Sequence, residues 1–221
     1  ITIWVWESRL LLTDPIENET EMTIARFSPD GKSIAGAGAD GTVRIWRLET
    51  EVTPVENQPG FVRETHSAKV AGPGFVHDGR VGLLSFSPDG RLLATVEWSD
   101  SLDHHRVIIW DARTGKAVRT IDPDTWEGDA FKCSFSPDGK LLAVGAGVYD
   151  IATGSAVHHL GEVPVHINAV APDWVHAACA ALEWIPHAAV GHNYRFRLEI
   201  WDVVNARRLH VLATTAYNPV E

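Results

Sequence analysis

Apolar and polar residues alternate in short runs along most of this chain. In DAFKCSF (129–135), Phe131, Cys133 and Phe135 fall on one side, with Lys132 and Ser134 on the other. A period of two is the signature of a β-strand with one buried face. KSIAGAG (32–38), RLLATVE (91–97) and KLLAVGA (140–146) are further strand-like runs, each beginning just after a Pro-Asp-Gly step. Helical periodicity is hard to find, and Gly or Pro interrupts the chain often. The pattern predicts an all-β fold.

The connections carry their own chemistry. FSPDG occurs at Phe27–Gly31, Phe86–Gly90 and Phe135–Gly139. Proline presets φ for the second position of a turn, aspartate tolerates the third, and glycine takes the left-handed conformation that closes it. These segments are therefore expected to be hairpin turns rather than cation or phosphate sites. A second signal follows each hairpin: VRIW (Val43–Trp46), VIIWD (Val107–Asp111), VYD (Val148–Asp150) and LEIWD (Leu198–Asp202). The opening ITIW (Ile1–Trp4) belongs to the same set. Phe27 to Trp46 spans 19 residues and Trp4 to Phe27 spans 23. A period of about 42 lies in the range of propeller blades.

With ADGTVRIW (Ala39–Trp46) and IIWDARTGKAVRTI (Ile108–Ile121), the chain resembles a WD-repeat β-propeller. The resemblance implies blades of four antiparallel strands, a to d from the central channel outward. It implies one WD-repeat region over 1–221: strands c–d of a partial blade over 1–13, then blades over 20–55, 77–122, 129–160 and 179–213. The last is expected to start at AALEWIP (Ala180–Pro186), where Trp184, Ile185 and Pro186 replace Phe-Ser-Pro. The blade markers on strand c are Trp46, Trp110, Tyr149 and Trp201. Four blades plus two strands of another fit an open array or part of a larger, seven-bladed ring, in which closure hides the sheet edges. Blade three is short, with Gly145, Ala146 and Gly147 expected to form a tight b–c turn.

The family's hydrogen-bonded tetrad maps best onto blade two, as His77, Thr95, Asp103 and Trp110. Blade one keeps Asp40 and Trp46 but has Asn18 and Gly36 at the other two places. The tetrad stitches a blade together and is read as structure.

Composition narrows the functions. The net charge is −10, which argues against nucleic acid, because phosphate binding needs a basic footprint. No stretch approaches a membrane span: the apolar region 169–182 is interrupted by Asp173 and His176. The first twelve residues lack a basic segment and do not read as a signal peptide. Two cysteines, Cys133 and Cys179, sit in apolar runs and read as reduced core thiols, so the expected compartment is the cytoplasm.

Motifs with chemical overtones are weak. GAGADG (Gly36–Gly41) fits the dinucleotide pattern, but a strand follows where the phosphate-holding helix is required. Neighbouring residues on a strand face opposite ways, so His158 and His159 chelate poorly as a pair. His104 and His105 fall in an expected loop without further ligands. No catalytic, cofactor or metal residues are assigned.

Segment lengths point elsewhere. Trp46 to Phe86 is about 17 residues longer than its counterpart from Trp4 to Phe27, and Tyr149 to Trp184 is about 12 longer. By resemblance, these d–a and b–c connections emerge on one face, opposite the short SPDG turns. Glu56–Asp78, Trp98–His105 and Gly161–Val175 are expected to project there. Long loops on a rigid scaffold are where binding concentrates. Partner-binding candidates are Trp98, Trp126, Trp174, Arg63, Arg80, Arg106, His104 and His105, with His66, His166, His176 and His192 nearby. Trp and Arg dominate binding hot spots. The expected function is a non-catalytic protein–protein interaction scaffold, with a protein or peptide partner and no cofactor, completed by the rest of its own propeller. The alternative is a small-ligand-binding or enzymatic propeller with its site at the channel mouth.

Overall fold

Where polar and apolar residues alternate, strands form, and the Pro-Asp-Gly steps join them. In the computed structural model the residues described are 4–5, 10–11, 20–54, 62–98, 105–122, 132–160, 165–184 and 194–217. Every regular element among them is a strand. β1 (Trp4–Val5) and β2 (Leu10–Leu11) pair with each other. The first full blade holds β3 (Met22–Phe27), β4 (Ser33–Gly38), β5 (Thr42–Pro54) and β6 (Val62–Val70), with the short β7 (Phe75–Val76) also on β5. The second holds β8 (Arg80–Phe86), β9 (Leu92–Trp98), β10 (His105–Asp111) and β11 (Ala117–Ile121). The third holds β12 (Cys133–Phe135), β13 (Leu141–Val144), β14 (Gly147–Asp150) and β15 (Ala156–His159). The fourth holds β16 (Val165–Val170), β17 (His176–Trp184), β18 (Tyr194–Asp202) and β19 (Arg207–Tyr217). All pairings are antiparallel, in the order a-b-c-d.

The FSPDG segments are a–b hairpin turns. Ser28 Oγ donates to Asp30 Oδ1 at 2.6 Å, and the Lys32 N–H donates to the same oxygen at 3.0 Å. Ser87 with Asp89, and Ser136 with Asp138, repeat the bond at 2.7 Å. The serine hydroxyl, then the backbone N–H, holds each of these carboxyls below its ordinary range. Gly31, Gly90 and Gly139 take φ of 69°, 70° and 70°, where a Cβ is disfavoured. The aspartates are committed to the turn. GAGADG is likewise backbone: Gly36 and Gly38 lie in β4, and Gly41 turns the chain into β5.

Two expectations about the layout are corrected. The fourth sheet does not start at Cys179: β16 is its first strand, and AALEW ends its second. The a–b turn there is Val170–Trp174. Its bonds, Trp174 N–H to Ala171 O and Ala171 N–H to His176 O, both 2.8 Å, repeat those of Gly31 and Ser28 in blade one. A tryptophan thus stands at the glycine position, at φ 57°. Sequence matching missed it because only Pro172 and Asp173 of the motif survive. Consequently Gly161–Val175 does not project as a long loop; most of it is strand a and its turn.

The second correction concerns Glu56–Asp78. β5 runs on past Trp46 to Pro54 and pairs with β6 through Pro54↔Val62. The extra length is a ribbon of strand c and strand d. It extends at the end where the c–d turns lie, which is the SPDG face. Blade three does close as expected: Val144 pairs Gly147 across a two-residue b–c connection.

Neighbouring blades bury each other. On strand c, Val43 and Ile45 pack with Phe75 of β7 and with Val81, Leu84 and Trp110 of the next blade. Val107 and Ile109 do the same with Phe135, Leu142 and Tyr149, and Val148 with Ile167, Ala177 and Trp201. In blade four the equivalent Leu198 is 41% exposed, and Phe196 47%. Among the described residues no core joins blade four to another sheet beyond blade three, so the array is open.

Trp174 is 7% exposed and belongs to the core between blades three and four. Left-handed φ on a non-glycine residue costs about 1–2 kcal/mol, and the buried indole offsets it. Both Trp174→Gly and Trp174→Ala are expected to destabilise the chain, by about 3–5 kcal/mol for the lost burial. The alanine variant, which keeps the strain, should be worse by about 1 kcal/mol. Chemical denaturation of both variants checks this; an alanine variant equal to or better than glycine would contradict it.

Candidate functional site

Blade two carries a hydrogen-bonded chain across three elements. Trp110 Nε1–H donates to Thr95 Oγ1 at 2.9 Å. Thr95 Oγ1 is 2.8 Å from His77 Nε2, and His77 Nδ1 is 3.1 Å from the Gly41 carbonyl. A carbonyl can only accept, so Nδ1 carries the ring proton and Nε2 accepts from the threonine hydroxyl. The chain ends on the b–c turn of blade one and so ties two blades together. Trp110 also meets Phe75 and His77 edge-on, at 5.3 and 5.2 Å between centroids. Burial holds His77 below its ordinary pKa, against the opposing pull of the Gly41 carbonyl and the Glu97 charge. Asp103, the fourth expected member, lies outside the described residues.

Blade four solves the same problem with a carboxylate. Glu199, fully buried, accepts from Trp201 Nε1 at 2.8 Å and from Arg208 Nη1 at 3.1 Å. Arg197 Nε lies 3.0 Å from Glu199 Oε1 and forms a second ion pair with it. Sequence reading passed over Glu199, although it sits two residues before Trp201 and so shares its face. Cys179, directly opposite Glu199 in register, is pushed up to about 12 by burial, then by that charge. Burial pushes Cys133 up to about 12 as well. Neither thiol is activated for nucleophilic chemistry. Among the described residues no three His, Cys, Asp or Glu side chains converge as metal ligands.

The candidates for partner binding separate into three groups. Arg80, Trp98 and His105 form one row across β8, β9 and β10, in register at the long-loop end of blade two. The Arg80 guanidinium carbon lies 5.1 Å from the Trp98 ring centre, and the His105 ring centre lies 5.8 Å from it. The indole also covers Gly82, where any Cβ would collide with it. Arg106, next to His105, faces Asp122 at 3.3 Å and Asp78 at 3.9 Å. Trp174, by contrast, is in the core at the SPDG end and offers no partner surface. Arg63 is in β6 opposite Thr53, on the ribbon. Trp126 and His104 lie outside the described residues, as does His192. His66 bonds Thr50 across the ribbon, and His176 pairs with Asp173 in the a–b turn. Neither is at the long-loop end.

Residues 19–47 match the family model of the WD domain, G-beta repeat. A WD repeat-containing protein AAC3 from Dictyostelium discoideum is 26% identical over 143 residues, 58% of this chain and 26% of that protein. Telomerase protein component 1 of Rattus norvegicus is 32% identical over 182 residues, 76% of this chain and 6% of its own length. An uncharacterized WD repeat-containing protein of Deinococcus radiodurans is 25% identical over 205 residues, 86% of this chain and 72% of its own. The chain thus spans about a quarter or less of the first two relatives. The matched repeat, these relatives and the four blades of a-b-c-d strands support a WD-repeat family for the chain.

Two predictions test this wiring. Thr95→Val removes the acceptor for Trp110 and the donor for His77, and should cost about 1–3 kcal/mol by denaturant titration. An unchanged midpoint would contradict the chain of donors. His77 is neutral when folded and its pKa is lowered, so the unfolded chain binds the proton more readily. Its contribution is fully present above about pH 6.5, the unfolded value, and is lost as pH falls through the folded value. Between about pH 7.5 and 5.5 the wild type should therefore lose more stability than His77→Gln. Parallel losses in the two proteins would contradict this.

Proposed function

We propose that this chain is a non-catalytic scaffold for protein–protein interaction, presenting a peptide- or protein-binding surface at the d–a and b–c end of its blades. The observation that carries it is the Arg80–Trp98–His105 row at the long-loop end of blade two. One guanidinium group lies over a tryptophan, with a histidine on its other side, on rigid, paired strands rather than on a loose loop. Arginine over an aromatic face presents donors and apolar area together, the composition of binding hot spots. Support for a non-catalytic role comes from the buried, deactivated thiols and from His77 and Glu199, whose polar atoms are spent on structure. The two thiols also suit a reducing compartment, and the cytoplasm is part of the same proposal.

Trp98 packs on Gly82, so its removal would confuse binding with folding. Arg80→Glu is the cleaner probe, because Arg80 is exposed and its loss should change stability by only about 0.5 kcal/mol. Peptides selected by display on the immobilised chain are expected to bind the Arg80→Glu variant about tenfold more weakly, and Arg106→Glu similarly. Selected peptides that bind both variants as tightly as the wild type would move the surface elsewhere.

A further inference from the structure

The face of short turns is not featureless. At the joint of blades one and two, on the SPDG side, lies a groove of about 350 Å³. Its apolar lining residues are Ile45, Ala71, Phe86 and Ala112. The guanidinium-bearing residues Arg47 and Arg113 line it as well. The volume suits one or two side chains of a ligand.

Arg47 is a departure from the repeat. Blades two, three and four place an aspartate directly after the strand-c aromatic, and it caps the c–d turn. Asp111 accepts from the Thr114 N–H at 2.7 Å, Asp150 from Thr153 at 2.8 Å, and Asp202 from Asn205 at 3.0 Å. Arginine cannot accept such a bond, and in blade one the turn is absent: β5 continues into the ribbon. Local departures from an otherwise repeated solution are where function is expected.

Two aspartates and two arginines line the groove, but each aspartate also has a basic neighbour outside that lining. Asp30 and Asp89 each spend Oδ1 on their own turns. Asp89 is also 3.7 Å from Arg91, and Asp30 feels the charge of Lys32. Arg113 acts at a distance on Asp111, whose Oδ1 is already engaged by Thr114. Arg47 makes no ion pair with a carboxylate among the described residues. In a chain of net charge −10, two arginines with spare donors beside Ile45 and Phe86 favour an anionic partner. Planar guanidinium groups suit a carboxylate, which they hold by two parallel bonds.

We propose that this groove docks an acidic linear peptide. A Glu or Asp side chain engages Arg47 and Arg113, and a neighbouring apolar side chain sits on Ile45 and Phe86. The site is on the opposite face from the Arg80 row and does not depend on it, so the scaffold would be two-sided.

The test uses the whole chain and fluorescent pools of short peptides with a fixed Glu-Leu, Gln-Leu, Lys-Leu or phosphoserine-Leu pair. The Glu-Leu pool should bind about tenfold tighter than the Gln-Leu and Lys-Leu pools, and weaken with salt. Arg47→Asp, which restores the residue of the other repeats, should lose about tenfold of that binding, while Arg80→Glu keeps it. Arg113→Gln should weaken it as well, and carries the test if Arg47→Asp proves poorly folded by its thermal transition. Equal binding of the Glu-Leu and Gln-Leu pools, or full binding by both groove variants, would overturn the proposal. So would a phosphoserine pool about tenfold tighter than Glu-Leu, which would make the groove a phosphate site.

Discussion

No blade of this protein can cover both of its own faces. A four-stranded sheet with period-two alternation turns one set of side chains each way, and here both sets are largely apolar. Each joint solves this by presenting the strand-c residues one and three before the aromatic to the next blade. Val43 and Ile45 do so, then Val107 and Ile109. Everything else follows from that mutual burial. It makes stability a property of joints rather than of blades, as in other repeat arrays. It also leaves Phe196 and Leu198 uncovered where the described array stops.

Polar groups inside such joints have to be satisfied locally, and the blades do it differently. Blade two runs a relay from Trp110 through Thr95 and His77 to a carbonyl of blade one. Blade four holds Trp201 with Glu199, and neutralises that buried carboxylate with Arg197 and Arg208. The second solution keeps a charge inside the fold, tolerable only because two guanidinium groups and an indole N–H surround it. Blade one gives up the aspartate that would close strand c. The consequence is a ribbon and a groove on the face where the other repeats have tight turns.

Much of the fold was legible in the residues. The hairpins follow from Pro-Asp-Gly, whose conformational preferences act within four residues, and the blade markers follow from alternation ending in Trp or Tyr. His77, Thr95 and Trp110 could be assembled from the resemblance to the family's repeat, because the turn between strands a and b of blade two matches that repeat without insertions. Where spacing failed, the cause was a substitution that preserved the backbone and erased the motif. Trp174 replaces a glycine and keeps every turn bond, so the strand before it looked like loop and the strand after it looked like the start of a blade. The candidate surface was less legible still. Arg80, Trp98 and His105 are 25 residues apart from first to last, and only antiparallel register sets them side by side.

The chain by itself determined which segments are strands, where they turn, and that they repeat, because these depend on near neighbours and on a period of two. Only the tertiary structure decided which side of the blade the extra residues of the first repeat lie on, since a long strand and a long loop have the same length in sequence. It alone placed Trp174 in a core and Arg47 on a groove. Both outcomes depend on contact with the adjacent blade, and sequence distance does not encode how two sheets meet.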